Sequence, residues 1–561
     1  MSERSLIGPS SVMAVGTVTS RITGVLRDIT MTAALGFFLV SDAYSLGNSL
    51  PTMIYILVIG GALNAVFIPQ LVRKMKEDAD DGRAYADRLI TLTGIILLIL
   101  SVLAVVLAPL IVDLYTPSDY PQREFDLAVA FARLCLPQIF FYGVYAMLSQ
   151  VLNSRGKFGA PMFAPIANNV VAIATFLLFI GIAGTSAAAD GVLTTDQVLL
   201  LGIGTTLGVV AQAVILLPVL GKAGYHWKPR FDWRGHGLGK AGSLALWTIG
   251  LVLVNQLTYL VITRLATQAN VNAAAAGEVA AGLTTYQKAH LVFILPHSVI
   301  TVSIVTALLP ALSRVAHAGK LSQVGRDISG AMRLVAFLII PVTAILFVAG
   351  IGVAVLLFGY GAATTEQAEL LGLVISIFML GLIPFTLFYV LLRGYYAVED
   401  TRTPFIVTVI FSVVLLALLV PTFSTLSGGG TQIAFIALCY SLAYWVGLII
   451  AWIVLARRLR GTSETSGMQS GQVVWSITRM VIAALVSVVA MSLTTTAVNA
   501  VVYGAGSGMT YSDKWVVLVR LVIVSIVGLV VYLLGAWALR IQEIGIAQRV
   551  IAQKLHRRVA T

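Results

Sequence analysis

Long apolar blocks alternate with short polar intervals along the whole chain. About fourteen blocks lie at 10–36, 43–72, 87–116, 125–152, 160–184, 196–221, 241–267, 278–313, 328–357, 367–396, 403–424, 430–456, 473–502 and 515–539. A spanning helix needs about 20 mostly apolar residues, and each block satisfies that. Several are longer, so tilt, kinks or ends beyond the hydrocarbon are expected. Pro51, Pro137, Pro296, Pro341 and Pro384 fall inside blocks; each frees a backbone carbonyl and bends its helix. The pattern predicts an all-α polytopic membrane protein.

The polar intervals alternate in charge. One set is basic: 73–88, 222–240, 314–333 and 457–479. The other, 37–42, 185–195, 268–277, 358–366 and 425–431, is nearly free of Lys and Arg. Positive-inside bias then puts both termini in the cytoplasm, a parity that fourteen spans satisfy. The tail 541–561 sets Ile541, Ile544, Val550, Ile551 and Leu555 among Arg549, Lys554, Arg557 and Arg558. It reads as a basic amphipathic helix on anionic lipid or as a disordered basic end.

Composition agrees with this reading. The chain has 561 residues, 58% hydrophobic and only 11% charged, against about 25% charged in soluble domains. The net charge of +12 sits mostly beside the spans, so it reports topology and not nucleic-acid binding. Cys135 and Cys439 lie in apolar segments and form neither a disulfide framework nor a metal site. The nine residues before the first span are too few for a cleaved signal, so that span is expected to stay.

The chain also repeats. FIPQLVR (Phe67 to Arg73) returns as LLPALSR (Leu308 to Arg314), and LIVDLYTP (Leu110 to Pro117) as VAVLLFGY (Val353 to Tyr360). SRGKFGAPMF (Ser154 to Phe163) returns as AVEDTRTPFI (Ala397 to Ile406), and VTSRIT, with Arg21, as VITRLA, with Arg264. The offset stays near 241–245 residues. An offset of six spans returns the chain to the same side, so the repeats are parallel, related by an axis along the membrane normal. The expected organisation is an N-lobe at 1–225, a C-lobe at 240–460, two additional helices at 473–540 and the tail.

The first block carries Arg21, Arg27 and Asp28 at membrane depth. A cation at the bilayer centre costs roughly 2.5–3.5 kcal/mol on insertion scales and usually faces a bundle interior or a water-filled cavity. One acid beside two arginines leaves positive charge over, which points to a cavity that holds an anion. A buried Arg–Asp pair locking the helix to a neighbour is the alternative. Arg21 and Asp28 are seven residues apart and share a face, while Arg27 points about a third of a turn away. Gly24 between them leaves room for a ligand or for close helix packing. Asp42 opens the second span, as a cap of that helix or as a gate residue. Asn48, inside the second span, bonds another helix or a ligand. In the eighth span Lys288 and His290 are the C-lobe candidates for facing the anion, with snorkelling the alternative for Lys288 and for Arg264. No enzymatic constellation is present: there is no P-loop, no HExxH and no ligand spacing around His226 or His236. With no nucleotide-binding module, transport would draw on an ion gradient, the membrane potential or the substrate gradient.

SRITGVLRD, then SDAYSLGNSLP, GGALNAVFIPQL and LNSRGKFGAPMFAPIANN resemble the MurJ/MviN family, lipid II flippases of the multidrug/oligosaccharidyl-lipid/polysaccharide exporter superfamily. The resemblance covers essentially the whole chain. It implies fourteen helices in two pseudo-symmetric six-helix lobes plus two C-terminal helices, in a bacterial plasma membrane. It maps the family's cavity arginines onto Arg21 and Arg27, the adjacent acid onto Asp28 and the acid opening the second helix onto Asp42. Two positions depart. After the LP of the second span, where the family has basic residues, this chain offers Tyr55. The family's eighth-helix arginine falls near Leu291, with Lys288 and His290 just before it.

The resemblance implies that the chain flips lipid II, a polyprenyl-pyrophosphate-linked disaccharide pentapeptide, outward by alternating access and is no enzyme. Cavity arginines would hold the pyrophosphate by charge-assisted bidentate hydrogen bonds. Expected partners are lipid II, membrane lipids and proteins of cell-wall synthesis or division, with no nucleic acid. No cofactor is expected, and a dependence on membrane potential or a monovalent cation is. The competing readings are a flippase of another polyprenyl-linked glycan and an ion-coupled drug exporter of the same superfamily. A membrane glycosyltransferase would need a catalytic carboxylate in a long external loop, which is missing.

Overall fold

The computed structural model describes residues 4–57, 80, 82–232, 243–459, 467–504 and 509–545. Asn64 of the quoted GGALNAVFIPQL, Pro69 of FIPQLVR and the basic tail from 546 onward lie outside these residues, as do half of the interval 73–88 and part of 222–240.

The described residues form eighteen α-helices. They are α1 (Arg4–Leu35), α2 (Leu39–Tyr55), α3 (Arg83–Val106), α4 (Ala108–Tyr115), α5 (Gln122–Cys135), α6 (Gln138–Ser154), α7 (Gly159–Ala183), α8 (Thr195–Val214) and α9 (Leu216–Lys222). They continue with α10 (Ser243–Ala276), α11 (Leu283–Pro296), α12 (Val302–His317), α13 (Leu321–Phe358), α14 (Thr365–Ala397), α15 (Arg402–Phe423), α16 (Gly429–Arg458), α17 (Ser470–Tyr503) and α18 (Lys514–Ala538). Twelve stretches, from Arg83–Val106 to Lys514–Ala538, are long and apolar enough to cross a membrane. Of the remaining two blocks, 10–36 corresponds to α1 and the described part of 43–72 includes most of α2, so the count is roughly consistent with about fourteen spans.

Local sequence sets the helix ends and breaks. The block at 125–152 is split into α5 and α6 at Leu136 and Pro137. In the eighth block the prolyl residue ends α11, and a π-helical turn, His297–Thr301, follows before α12. A π turn frees backbone groups and often marks a functional position. Pro341 and Pro384, by contrast, lie inside the unbroken α13 and α14. Thr194 and Gln197 form a reciprocal capping box at α8. Gly36, between α1 and α2, has φ +62°, and a Cβ there would meet the Phe38 ring at 2.8 Å and the Ala362 carbonyl at 3.0 Å. Pro161 and Pro404, paired by the repeat, each stand third in their helices, α7 and α15.

Contacts divide the chain into two compact units. The first is Met1–Thr284 with Tyr360–Thr364 and Gly428–Gly430. Its core joins Met31, Ala34 and Leu35 of α1 with Tyr44 of α2, Phe131 of α5, and Phe176 and Phe179 of α7. The Tyr44 ring meets Phe131 and Phe176 edge-on, at 5.2 and 5.7 Å, a favourable aromatic arrangement. The chain after α9 straps back over the start of α3. There the Tyr225 hydroxyl donates to Asp87 at 2.6 Å, the Trp227 ring and the Arg230 amide donate to Thr91, and Arg88 pairs with Asp232 at 2.5 Å.

The repeat puts α10 at the head of the second lobe, yet by contacts α10 packs in the first unit. Its polar side chains account for this. Gln256 Nε2 donates to the Met53 carbonyl at 2.6 Å, and Gln268 Nε2 to Asp119 at 2.9 Å.

The second unit is Thr285–Gly359 with Thr365–Ser427 and Thr431–Thr561. The long helices α13 and α14 form its spine, and the two additional helices pack on α13. Tyr532 of α18 donates to the Phe337 carbonyl at 3.2 Å, and Ser487 of α17 to the Gly528 carbonyl at 2.7 Å. Just after α18, Glu543 is 3% exposed and closes on Arg333 of α13 at 3.4 Å and Ser476 of α17 at 3.2 Å.

Candidate functional site

In α1 the charge cluster is built on one helix and completed by a second. Arg27 Nη2 meets Asp28 Oδ2 at 3.1 Å, and Arg27 Nη1 donates to Asn169 Oδ1 of α7 at 3.3 Å. Neighbouring residues on a helix do not face one another, so the long arginine side chain folds back to reach its acid. The Asn169 amide nitrogen donates to the Ser20 carbonyl at 3.2 Å and to Thr23 Oγ1 at 2.9 Å. One buried carboxamide thus ties α7 to α1 over a full turn and holds the guanidinium. The Tyr44 and Tyr142 hydroxyls lie within electrostatic reach of the Arg27 charge.

Exposure differs sharply across the cluster. The Asp28 side chain is 12% exposed and that of Arg27 37%. Arg21 is exposed and makes no ion pair among the described residues. Asp28 can answer one arginine, so the cluster of Arg21, Arg27 and Asp28 carries one cation in excess. Of the two readings of Gly24, close packing is not forced, since a Cβ there would meet only Asn169 Nδ2, at an ordinary 3.7 Å.

Asp42 does not cap its own helix. It is 1% exposed, and its carboxylate accepts from the backbone N–H groups of Leu283 at 3.0 Å and Thr284 at 2.7 Å, and from Asn270 Nδ2 at 2.8 Å. It is therefore the N-terminal cap of α11, delivered from α2. Ser41 and Ser45 add hydroxyl contacts to Thr284 Oγ1 at 3.1 and 2.9 Å. A free helix N-terminus presents unpaired donors and partial positive charge, which is why a buried carboxylate settles there. The fit is tight, because a Cβ on Gly282 would stand 2.0 Å from Asp42 Oδ2 and 2.6 Å from Asn270 Cβ. Glu278 does the same for α16, accepting from the Gly429 N–H at 3.1 Å.

The other sequence candidates are dispersed. Asn48 is half-buried in α2. The half-buried Tyr55 ends that helix, with its ring 5.8 Å from that of Tyr142. Arg264 Nη1 points at the Asp113 and Leu114 carbonyls, at 3.5 and 3.4 Å; these lie in the last turn of α4, where a cation is favoured. Lys288 is 4% exposed, so it does not snorkel. His290 Nε2 lies 3.4 Å from the Tyr440 hydroxyl, within an aromatic cluster of Tyr286, Phe293, Phe378 and Tyr440.

Two features escaped the sequence reading. Asn169 is one of two adjacent asparagines in an otherwise apolar block, a signal that was present but unweighted. Arg393 of α14 stacks over Tyr389 at 4.4 Å, and the His297 ring of the π turn lies against Tyr389 at 4.7 Å. Among the described residues no group of acids, histidines and cysteines could hold a metal ion.

Comparison with known proteins gives a consistent picture. The family described as "Lipid II flippase MurJ" matches residues 31–539, so Arg21, Arg27 and Asp28 precede the matched stretch. A "Probable lipid II flippase MurJ" of Rhizobium meliloti (strain 1021) is 29% identical over 458 residues, 81% of each chain. The protein of the same description from Rhizobium tropici is 27% identical over 565 residues, covering 98% of this chain and 97% of its own. A solved structure of "Lipid II flippase MurJ, inward closed conformation" superposes with a TM-score of 0.70 at 19% identity, over 93% of this chain and 97% of that one. An inward-facing multidrug resistance MATE family transporter of the MOP superfamily reaches 0.58 at 15% identity, over 80% and 99%. At such identities these two structures speak for the fold alone.

Proposed function

The chain belongs to the MurJ family of lipid II flippases, multi-pass membrane transporters and not enzymes, and on that premise we propose that it moves lipid II across a bacterial plasma membrane with Arg21 and Arg27 holding the pyrophosphate. The observation that carries this reading is the cation in excess in the Arg21, Arg27 and Asp28 cluster of α1. Arg27 is shared between Asp28 and Asn169, and Arg21 is exposed without an acidic partner among the described residues.

Asp28 fixes the plane of the Arg27 fork from one side and Asn169 from the other. A guanidinium held in this way presents its remaining N–H groups in a fixed geometry, which suits a bidentate phosphate contact. The lobes at 1–225 and 240–460 would rock about the head group in alternating access while the polyprenyl tail stays in lipid. Both termini lie in the cytoplasm in this scheme. Membrane potential or a monovalent cation supplies the drive. Of the remaining candidates, Asp42 acts through the seating of α11, and Tyr55 and His290 through packing.

The test is depletion of the protein in its host, with lipid-linked precursor measured in each leaflet. Accumulation on the inner leaflet supports the reading. An unchanged distribution, with another polyprenyl-linked glycan retained inside, would replace lipid II by that glycan.

A further inference from the structure

Beyond α9 the chain runs without helix as a strap, 225–232, over the first turns of α3. Thr91 Oγ1 accepts from Trp227 Nε1 at 3.3 Å and from the Arg230 amide at 3.1 Å, and donates to the Asp87 carbonyl at 2.7 Å. The buried Asp87 carboxylate accepts from the Tyr225 hydroxyl at 2.6 Å and from the Lys228 amide at 3.3 Å. At residues 228 and 230 the backbone makes these bonds, so the hold on α3 does not use their side chains.

Along the strap polar and apolar residues alternate, His226, Lys228 and Arg230 against Trp227, Pro229 and Phe231. Neither aromatic is tucked under. Trp227 is 47% exposed and Phe231 67%, and Lys228 and Arg230 are exposed beside them. The acids of this region hold the structure together: Asp80 accepts from the Ala84 N–H at the start of α3, Asp87 carries the strap, and Asp232 closes on Arg88. The indole of Trp227 has its N–H fixed on Thr91 and its ring body outward, the arrangement that suits a Trp with one wet and one apolar end.

The level of the strap along α3 says what covers it. Up to Leu92 the apolar side chains of α3 are buried or half-buried, whereas Ile96, Leu98, Ile99 and Val102 are exposed. In a helix long and apolar enough to span a membrane, that exposed band faces lipid tails. Thr91, the point of grip, precedes Ile96 by five residues, ~7 Å along the axis. The headgroup layer on each side of the hydrocarbon is about 5–8 Å thick. The strap therefore stands at the level where aromatic side chains gather and where Lys and Arg meet lipid phosphates.

We infer that the strap is an interfacial anchor, with Trp227 and Phe231 seated in the headgroup layer at the start of α3 and Lys228 and Arg230 attracting its anionic phospholipids. The inference needs only that α3 spans the bilayer; it does not rest on the transport proposed above.

The experiment places an environment-sensitive bimane label on Phe231→Cys in the full-length protein, reconstituted in vesicles of phosphatidylcholine and phosphatidylglycerol. Cys135 and Cys439 are 0% and 1% exposed, so the label goes to the new thiol. Phospholipid carrying a headgroup nitroxide is expected to quench the label strongly, and aqueous acrylamide only weakly. Nitroxide-labelled phosphatidylglycerol is expected to quench more than nitroxide-labelled phosphatidylcholine, by a local enrichment of about 5-fold for each basic residue at the surface. That preference should vanish when Lys228→Glu and Arg230→Glu are added, since the backbone bonds to α3 remain. If Phe231→Cys does not fold, Pro229→Cys carries the label. Free quenching by acrylamide with none from lipid nitroxides, or equal quenching by the two labelled lipids, overturns the inference and leaves the strap as a brace of α3.

Discussion

Asn169 and Arg27 meet at 3.3 Å across α7 and α1, and the same carboxamide also holds the Ser20 carbonyl and the Thr23 hydroxyl. The arginine is oriented without being neutralised, since an amide oxygen carries no formal charge. If that residual charge is what the substrate meets, Asn169→Asp should be more harmful than its size suggests. It adds a second carboxylate beside Arg27 and cancels the excess. Complementation of a depleted host is expected to fall at least ~10-fold in export rate, equivalent to about 1.4 kcal/mol, with the protein still inserted. Full export by Asn169→Asp would argue that the charge of Arg27 is structural.

Asp42 gives a stability prediction. Asp42→Ala strands two backbone N–H groups and the Asn270 amide in a buried place. Each such loss costs ~1–3 kcal/mol, and a lost cap typically ~1 kcal/mol. A fall of several degrees in the unfolding midpoint is expected, with Asp42→Asn losing less because one oxygen still accepts. Gly282→Ala should mimic Asp42→Ala, since its methyl would collide with the same carboxylate. A midpoint unchanged in both Asp42→Ala and Gly282→Ala would refute the capping role.

His290 separates packing from ligand contact. His290→Phe keeps the ring among Tyr286, Phe293, Phe378 and Tyr440 while removing the nitrogen. Export at close to the wild-type rate is expected, and His290→Ala should cost more by opening a cavity. A severe loss in His290→Phe with normal expression would restore the imidazole as a substrate contact.

The topology is open to reporter fusions. Fusions at residues 230 and 320 should read cytoplasmic and one at 190 external. An external signal at 230 would invert the orientation and with it the direction proposed for transport.

The spans and the family were legible in the sequence because long apolar blocks and loop charge survive without any tertiary information. Pro137 and Pro296 marked real breaks for the same local reason, a missing N–H. The partner of Asp42 was not legible. Its position at a helix start suggested an ordinary cap, but the helix it caps begins 241 residues later, and only folding reveals that neighbour. Asn169 was hidden differently: either of two adjacent amides in an apolar block reads as one more helix contact until its partners are known. Arg264 and His290 were noted for their residue type, and their surroundings gave them packing and capping partners that type alone does not disclose.

The most direct measurement is outer-leaflet lipid II in a depleted host complemented by the wild type, Arg21→Ala, Arg27→Ala or Arg27→Lys, with membrane levels of each protein matched. The account expects both alanine variants to leave the precursor on the inner leaflet and Arg27→Lys to restore it poorly, because a point charge cannot reproduce the planar fork. Wild-type export by both alanine variants would contradict it and leave Arg27 and Asp28 as a pair that only joins α1 to α7.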